Sequence, residues 1–199
     1  SVSDADFGYG TGVTEMVTIG EQVWSVSNLN VDRFANGDLI QEVKDPTEWK
    51  RMATLRKPAR CNYYDRDGNE SEYGRLYNWF AVSDNRGLCP AGWHIPSEEE
   101  WITLESHLKT SPGKKLKSID GWLDGDRGTN ESGFSALPAG LRAPSDGSFQ
   151  GEANTGIWWT TTEDGEGSIL SRYLYYKNGF IERVSHQKHS GLSVRCLKD

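Results

Sequence analysis

Three groups of side chains in this 199-residue chain have the types and spacing to do chemistry. The first is Asp65, Asp67 and Asn69, in the run DRDGNES, which offers a side-chain oxygen at every second position. Calcium loops present hard oxygen ligands in that rhythm, with glycine at the sixth place and glutamate at the twelfth. Counted from Asp65, those two places hold Glu70 and Leu76. A solvated Asp/Gly/Asn turn accounts for the same residues. The second group lies in DGWLDGDRGTNESG, where Asp120, Asp124, Asp126, Asn130 and Glu131 are all hard-cation donors. A turn-rich surface loop accounts for these as well. The sequence therefore requires no cofactor. Calcium is the one it would accommodate, at Asp65, Asp67 and Asn69 or at Asp124 and Asp126.

The third group runs from Ile157 to His189 and gathers Trp158, Trp159, Tyr173, Tyr175, Tyr176, Asn178, Arg183, His186, Lys188 and His189. Aromatic faces stack on sugar rings, while amide, guanidinium and imidazole groups give directional polar contacts. At least one of the adjacent tryptophans belongs to the core, and the sequence leaves open which. A two-residue turn on Asn178-Gly179 predicts a hairpin with Tyr175 opposite Glu182 and Tyr173 opposite Val184. Neither face of that ribbon is cleanly apolar, so the outward one stays open. From this group, Trp158, Tyr173, Tyr175, Asn178, Arg183 and His186 are the candidate ligand contacts.

Catalytic patterns are weaker. The sequence contains no serine nucleophile elbow, zinc-ligand spacing or phosphate loop. His94 sits in CPAGWHIPS, where a capping or core role suits it better than catalysis. Cys61, Cys89 and Cys196 are the three cysteines, enough for one disulfide and one thiol, which leans toward an oxidising compartment.

The elements that must position these groups are short. Ser97 followed by Glu100 is a capping box, and Trp101, Leu104 and Leu108 recur at helical spacing, predicting a helix over 97–108 with one buried face. Asp45-Pro46-Thr47 predicts a second helix start, carrying Trp49, Met52 and Leu55. Tyr73–Val82 reads as an amphipathic helix, and Lys114–Ile119 as one further helical turn. Strands are expected at 14–19 and 22–29 as a hairpin, and at 134–137, 141–143, 148–150, 158–162, 168–176, 180–186 and 192–197.

Length and charge set the frame. The chain suits one sizeable domain over 13–199 behind a loose, glycine-rich lead-in at 1–12. Eight tryptophans, eight tyrosines and six phenylalanines supply large burial areas, and 22 glycines imply many turns. A net charge of -7 argues against nucleic acid or an anionic membrane as partner. No run of about eighteen apolar residues predicts a transmembrane helix. The opening residues show no signal peptide, as in a mature or excised form.

Six segments, in order, carry a resemblance to a known family: VTIGEQVWSVSNLNV (Val17–Val31), YGRLYNWFAV, LCPAGWHIPSEEEW, ESGFSALPAG (Glu131–Gly140), IWWTTTE (Ile157–Glu163) and GLSVRCLKD (Gly191–Asp199). Over nearly its whole length the chain resembles the Fibrobacter succinogenes major paralogous domain of bacterial surface and secreted proteins, in Fibrobacter and Bacteroidetes. The resemblance implies an α+β, C-type lectin-like fold. In that fold two main helices flank small twisted antiparallel sheets, and the terminal strands pair. Calcium-dependent lectins of this superfold use Glu-Pro-Asn or Gln-Pro-Asp with a later Trp-Asn-Asp, and none of these occurs here. With Cys89 ahead of the helix and Cys196 in the closing strand, Cys89–Cys196 is the expected disulfide, and Cys61–Cys196 is the alternative.

The function expected from these readings is a non-catalytic adhesion module, extracellular or on a bacterial surface, that binds a glycan or protein through its C-terminal half. Two alternatives stand beside it. One is a retroelement-diversified ligand-binding protein of the same fold, and the other is a spacer or docking domain with no ligand of its own.

Overall fold

A computed structural model describes residues 13–123, 127–165 and 167–199. Among these, strands β1 (Met16–Ile19) and β2 (Gln22–Ser25) form the opening hairpin. Then come β3 (Gln41–Glu42), helix α1 (Pro46–Thr54), β4 (Ala59–Asn62) and a short 3-10 turn at Tyr63–Asp65. Helix α2 (Asn69–Tyr73), β5 (Arg75–Tyr77), α3 (Trp79–Val82) and β6 (Trp93–His94) lead to α4 (Glu98–Leu108) and α5 (Pro112–Leu116). The second half holds β7 (Leu141–Arg142), β8 (Phe149–Gln150), β9 (Thr155–Glu163), β10 (Ile169–Tyr175), β11 (Glu182–His186) and β12 (Leu197–Lys198). The chain is thus a mixed α+β protein of small, mostly antiparallel sheets.

The ends of the domain meet as expected. Leu197 of β12 pairs with Trp24 on one side and His94 on the other, giving the order β1-β2-β12-β6. Helix α4 begins where its signals place it. The Ser97 side chain accepts from the Glu100 backbone and Glu100 reaches back to Ser97, with three glutamates in the first turn facing the positive helix end. Trp101, on its inner face, lies 5.0 Å from Trp24 and 6.1 Å from Trp158 between ring centroids. A buried ion pair fastens the same helix to β10, with Arg172 Nε donating to Glu98 at 2.9 Å and Nη1 to Glu105 at 2.9 Å.

In the sheet β11-β10-β9, strands β9 and β10 lie between two cores and β11 is the exposed edge. Successive side chains on a strand point to opposite faces. Trp158 therefore joins Trp24, Trp101 and Phe134, whereas Trp159 joins Trp79, Leu192 and Val194. Both tryptophans are fully buried. Between the cores runs the segment 190–197, with Ser190, Leu192, Ser193 and Val194 all at 0% exposure. It bridges to Tyr77, Arg142 and Trp158 rather than forming the expected long strand, so only its end is β12.

Two more expectations are corrected. Tyr73–Val82 is not one helix. Gly74 takes φ 72°, the chain extends as β5 opposite β4, and Asn78 caps the new helix α3 by accepting from Ala81 N. The 134–137 segment makes only a bridge between Ala136 and Lys117. Elsewhere, Asp45 caps α1 as predicted, and α5 supplies the further helical turn. No helix among the described residues is long and apolar enough to cross a membrane.

Candidate functional site

The hairpin register differs from the sequence reading by two residues. Tyr173, not Tyr175, lies opposite Glu182, and Ser171 lies opposite Val184. Tyr175 pairs instead with Thr155 of β9. The tip is captured by α5, where Gly113 N donates to Gly179 O at 2.8 Å and Lys117 Nζ to Asn178 O at 2.6 Å. These contacts hold residues 176–181 as a wide docked loop, which displaces a two-residue turn.

The six predicted contact residues consequently do not share a surface. Trp158 is a core residue, and its indole nitrogen donates to Asn28 Oδ1 at 2.7 Å. Its assignment as a ligand contact is corrected, because β9 has a packed core on both faces. Tyr173 and Tyr175 stack on one face of the ribbon, 6.1 Å apart, with Val184 beside them. Arg183 projects from the other face, its side chain 62% exposed. Asn178 is at the tip, where its amide donates to Glu182. His186 is largely buried with its ring edge-on to Trp159, and Nδ1 lies 2.7 Å from Ser171 Oγ. That distance is the one a nucleophile and its base would show, but Ser171 is fully buried and its hydroxyl donates to Val184 O at 2.8 Å.

A cleft opens at the other end of this ribbon, where β11 runs out and β9 turns into β10. It has a volume of about 760 Å³. One wall is the end of α1 with Arg56, another is α3 with Phe80 and Ser83, and the third is Gly167, Ser168 and Gln187–His189. The walls are tied together by hydrogen bonds to backbone carbonyls. Trp79 N donates to Lys188 O at 3.2 Å and Trp49 Nε1 to His189 O at 2.8 Å. The His189 ring stands edge-on to Phe80 at 6.5 Å, making an aromatic corner that is only half buried. Lys188 reaches the rim and pairs with Glu163 at 2.9 Å. Arg56 sits just past the end of α1 at φ 54°, a left-handed position that favours glycine.

Lys188 and His189 fall within the region singled out in the sequence, whereas Arg56, Phe80 and Ser83 were missed. The signal for Phe80 was present in Asn78, a helix cap that restarts the helix and turns Phe80 toward the surface.

Among the proposed calcium donors, Asp67 is exposed and pairs with Lys44 at 3.0 Å, while the Asn69 amide donates to Tyr63 O. Asp65 is partly buried, which pushes its carboxyl up, and the Arg142 guanidinium opposes the shift from 3.9 Å away. A fixed cation therefore already faces Asp65. Asp124 and Asp126 lie outside the described residues. Among the described residues no three His, Cys, Asp or Glu side chains gather as a metal-holding group. Cys89 and Cys196 form the disulfide, and Cys61 is a buried thiol pushed up to about 12 by burial.

Two imidazoles titrate in opposite directions. Burial disfavours the charged form of His94, but its bonds to Asp199 at 2.6 Å and Glu100 at 2.8 Å outweigh this and raise its pKa. Burial lowers His186 to about 4. His94 thus adds stability that is full below an ordinary histidine pKa of about 6.5 and is lost as pH rises through its folded value. His186 adds stability that is present above about 6.5 and is lost as pH falls toward its folded value. A histidine NMR titration should find one resonance shifted above the unfolded value and one far below it, the former vanishing in His94→Gln. A His94 resonance titrating below the unfolded value would show that the two carboxylates do not hold it.

Compared with known families, residues 17–198 match the Fibrobacter succinogenes major domain. Neither a curated protein nor a solved structure matches the chain.

Proposed function

The chain belongs to the Fibrobacter succinogenes major domain family, and from that premise we propose that it is a non-catalytic surface or secreted module that binds a glycan in the cleft beside α3. The observation that carries this reading is the cleft's composition. A half-buried aromatic corner, Phe80 with His189, is ringed by guanidinium, ammonium, amide and hydroxyl groups. Sugar recognition needs that pairing of an apolar ring face with directional polar partners. A volume of about 760 Å³ is within the usual range for small-ligand sites, about 300–1,000 Å³. The paired terminal strands with α4 packed across them support a C-type lectin-like reading of the fold. An oxidising, extracellular setting is supported by the disulfide, since such bonds persist outside the cytosol.

A glycan array followed by titration calorimetry tests this. Truncating Phe80 to alanine is expected to weaken a bound glycan by about 2 kcal/mol, roughly 30-fold. The melting temperature should move little, because the ring is only half buried. Tyr175→Ala serves as the comparison, because it alters the ribbon face and leaves the cleft intact. Loss of binding with Tyr175→Ala and not with Phe80→Ala would move the site to the Tyr173–Tyr175 stack. An array with no bound glycan would favour a spacer or docking domain.

A further inference from the structure

We infer that the cleft selects acidic saccharides, with Arg56 and Lys188 taking a sugar carboxylate while a ring lies against Phe80. This rests on the glycan-binding reading above and names the class of glycan. The first support is charge. The protein as a whole carries a net charge of -7, yet the titratable residues that line the cleft are Arg56, Lys188 and His189, with no aspartate or glutamate among them. A cavity with cationic walls in an acidic protein is a local inversion of the field. Its low-dielectric walls concentrate that field on whatever enters.

The second support is the state of Arg56. Arg51, Arg66 and Arg86 pair with Glu48, Glu152 and Asp84, whereas Arg56 makes no ion pair among the described residues. Its planar fork of donors therefore remains available, and that fork matches a carboxylate two-to-two. Its backbone is fixed, however. Arg56 N donates to Ala53 O at 2.9 Å, and φ is 54°. Glycine or asparagine fits such a position more comfortably, so the backbone at this place does not call for arginine.

Lys188 is the second cation, and Glu163 bears on it. The ammonium is held 2.9 Å from Glu163 Oε1, with the lysine side chain 30% exposed and the glutamate 58% exposed. An ammonium has three donors, so one can stay on Glu163 while another meets a ligand oxygen. Glu163 fixes the ammonium at the rim and also reduces its net charge, leaving Arg56 as the stronger of the two contacts.

The probes are oligogalacturonate and a sialylated trisaccharide, each titrated beside its carboxyl-reduced counterpart, with a sulfated oligosaccharide as a further arm. The carboxylate form of at least one is expected to bind about tenfold tighter than its reduced counterpart, and the gap should narrow as salt is raised. Arg56→Asn, which suits the left-handed backbone, should close most of that gap. Lys188→Gln should close less of it. Sulfate binding as well as carboxylate would widen the class to sugar oxyanions and still depend on Arg56. Equal affinity for acidic and reduced forms, or a preference that survives the Arg56→Asn/Lys188→Gln pair, would overturn the inference. If neutral sugars then still bound and were lost on Phe80→Ala, the binding-module reading would stand without it. No binding of any probe would overturn both.

Discussion

Replacing Asn28 with alanine is expected to cost about 3–5 kcal/mol, a large part of the roughly 5–15 kcal/mol that holds a domain folded. Asn28 is 4% exposed and all of its side-chain groups are engaged. Its Oδ1 accepts from Trp158 Nε1 at 2.7 Å and from Arg195 Nε at 2.8 Å, and its Nδ2 donates to Tyr73 O at 2.8 Å. Truncation would strand a buried indole N–H and a buried guanidinium N–H, and leave the partly buried Tyr73 carbonyl without its donor. Each unsatisfied neutral group costs about 1–3 kcal/mol, and a charged one more. Arg195 makes this hub costly to disturb. It is 1% exposed, and burial pushes its guanidinium down to about 9. Its other bonds all go to backbone carbonyls, at Ser25, Phe134 and Ser135, and its plane lies 4.2 Å over the Phe134 ring. Gly74 backs the arrangement, since a Cβ there would stand 2.6 Å from Asn28 Cβ. Urea titration of Asn28→Ala gives the number directly. Asn28→Asp, which keeps the acceptor and loses the donor, should fall between the variant and the native protein. A loss under about 1 kcal/mol for Asn28→Ala would mean that the cavity admits water and the hub is not dry.

How much of this could be read beforehand depends on how local each signal is. Ser97 with Glu100, and Asp45 with Pro46, specify helix starts through bonds made within one turn, and both appear where the sequence puts them. The opening hairpin also follows from apolar alternation and a turn, whereas its pairing with the last strand is what the family resemblance implies. Tyr73–Val82 was misread because Leu76, Tyr77 and Phe80 satisfy a helical spacing and a strand followed by a capped turn equally well. The choice is made by Arg60 and Cys61 of β4, which pair with Tyr77 and Leu76. Likewise, the 176–181 loop is set by α5, about sixty residues earlier, not by Asn178-Gly179. Burial of both Trp158 and Trp159 needs a core on each side of β9, which alternation alone cannot reveal. The cleft was the least legible feature. Its walls come from residues 53–56, 79–83, 167–168 and 187–189, so no single segment carries its pattern.

Removing the Cys89–Cys196 disulfide is expected to cost about 4–5 kcal/mol and to weaken the cleft. The bridge closes a loop with a sequence separation of 107, and in the chain-entropy account a loop of that length restrains the unfolded chain by about that amount. The effect should reach the site through one core. Cys89 and Cys196 pack in the cluster that also holds Trp79 and Trp159, whose rings are 5.6 Å apart, and Trp79 begins the helix that presents Phe80. The Cys89→Ser/Cys196→Ser protein should therefore show a lower denaturation midpoint and weaker binding of any cleft ligand, both compared with Cys61→Ser. Thiol counting adds a second check. Denatured, non-reduced protein should yield one thiol, that of Cys61. The native protein should yield almost none within minutes, because Cys61 is fully buried and its pKa is pushed up to about 12. Three thiols in the denatured sample would mean the bridge does not form. That result would also remove the support for an oxidising compartment, since the extracellular reading draws on the disulfide. A bridge that forms yet changes the stability by less than about 1 kcal/mol would mean that residual structure in the reduced, unfolded chain already holds the two ends together, leaving the bridge little entropy to remove.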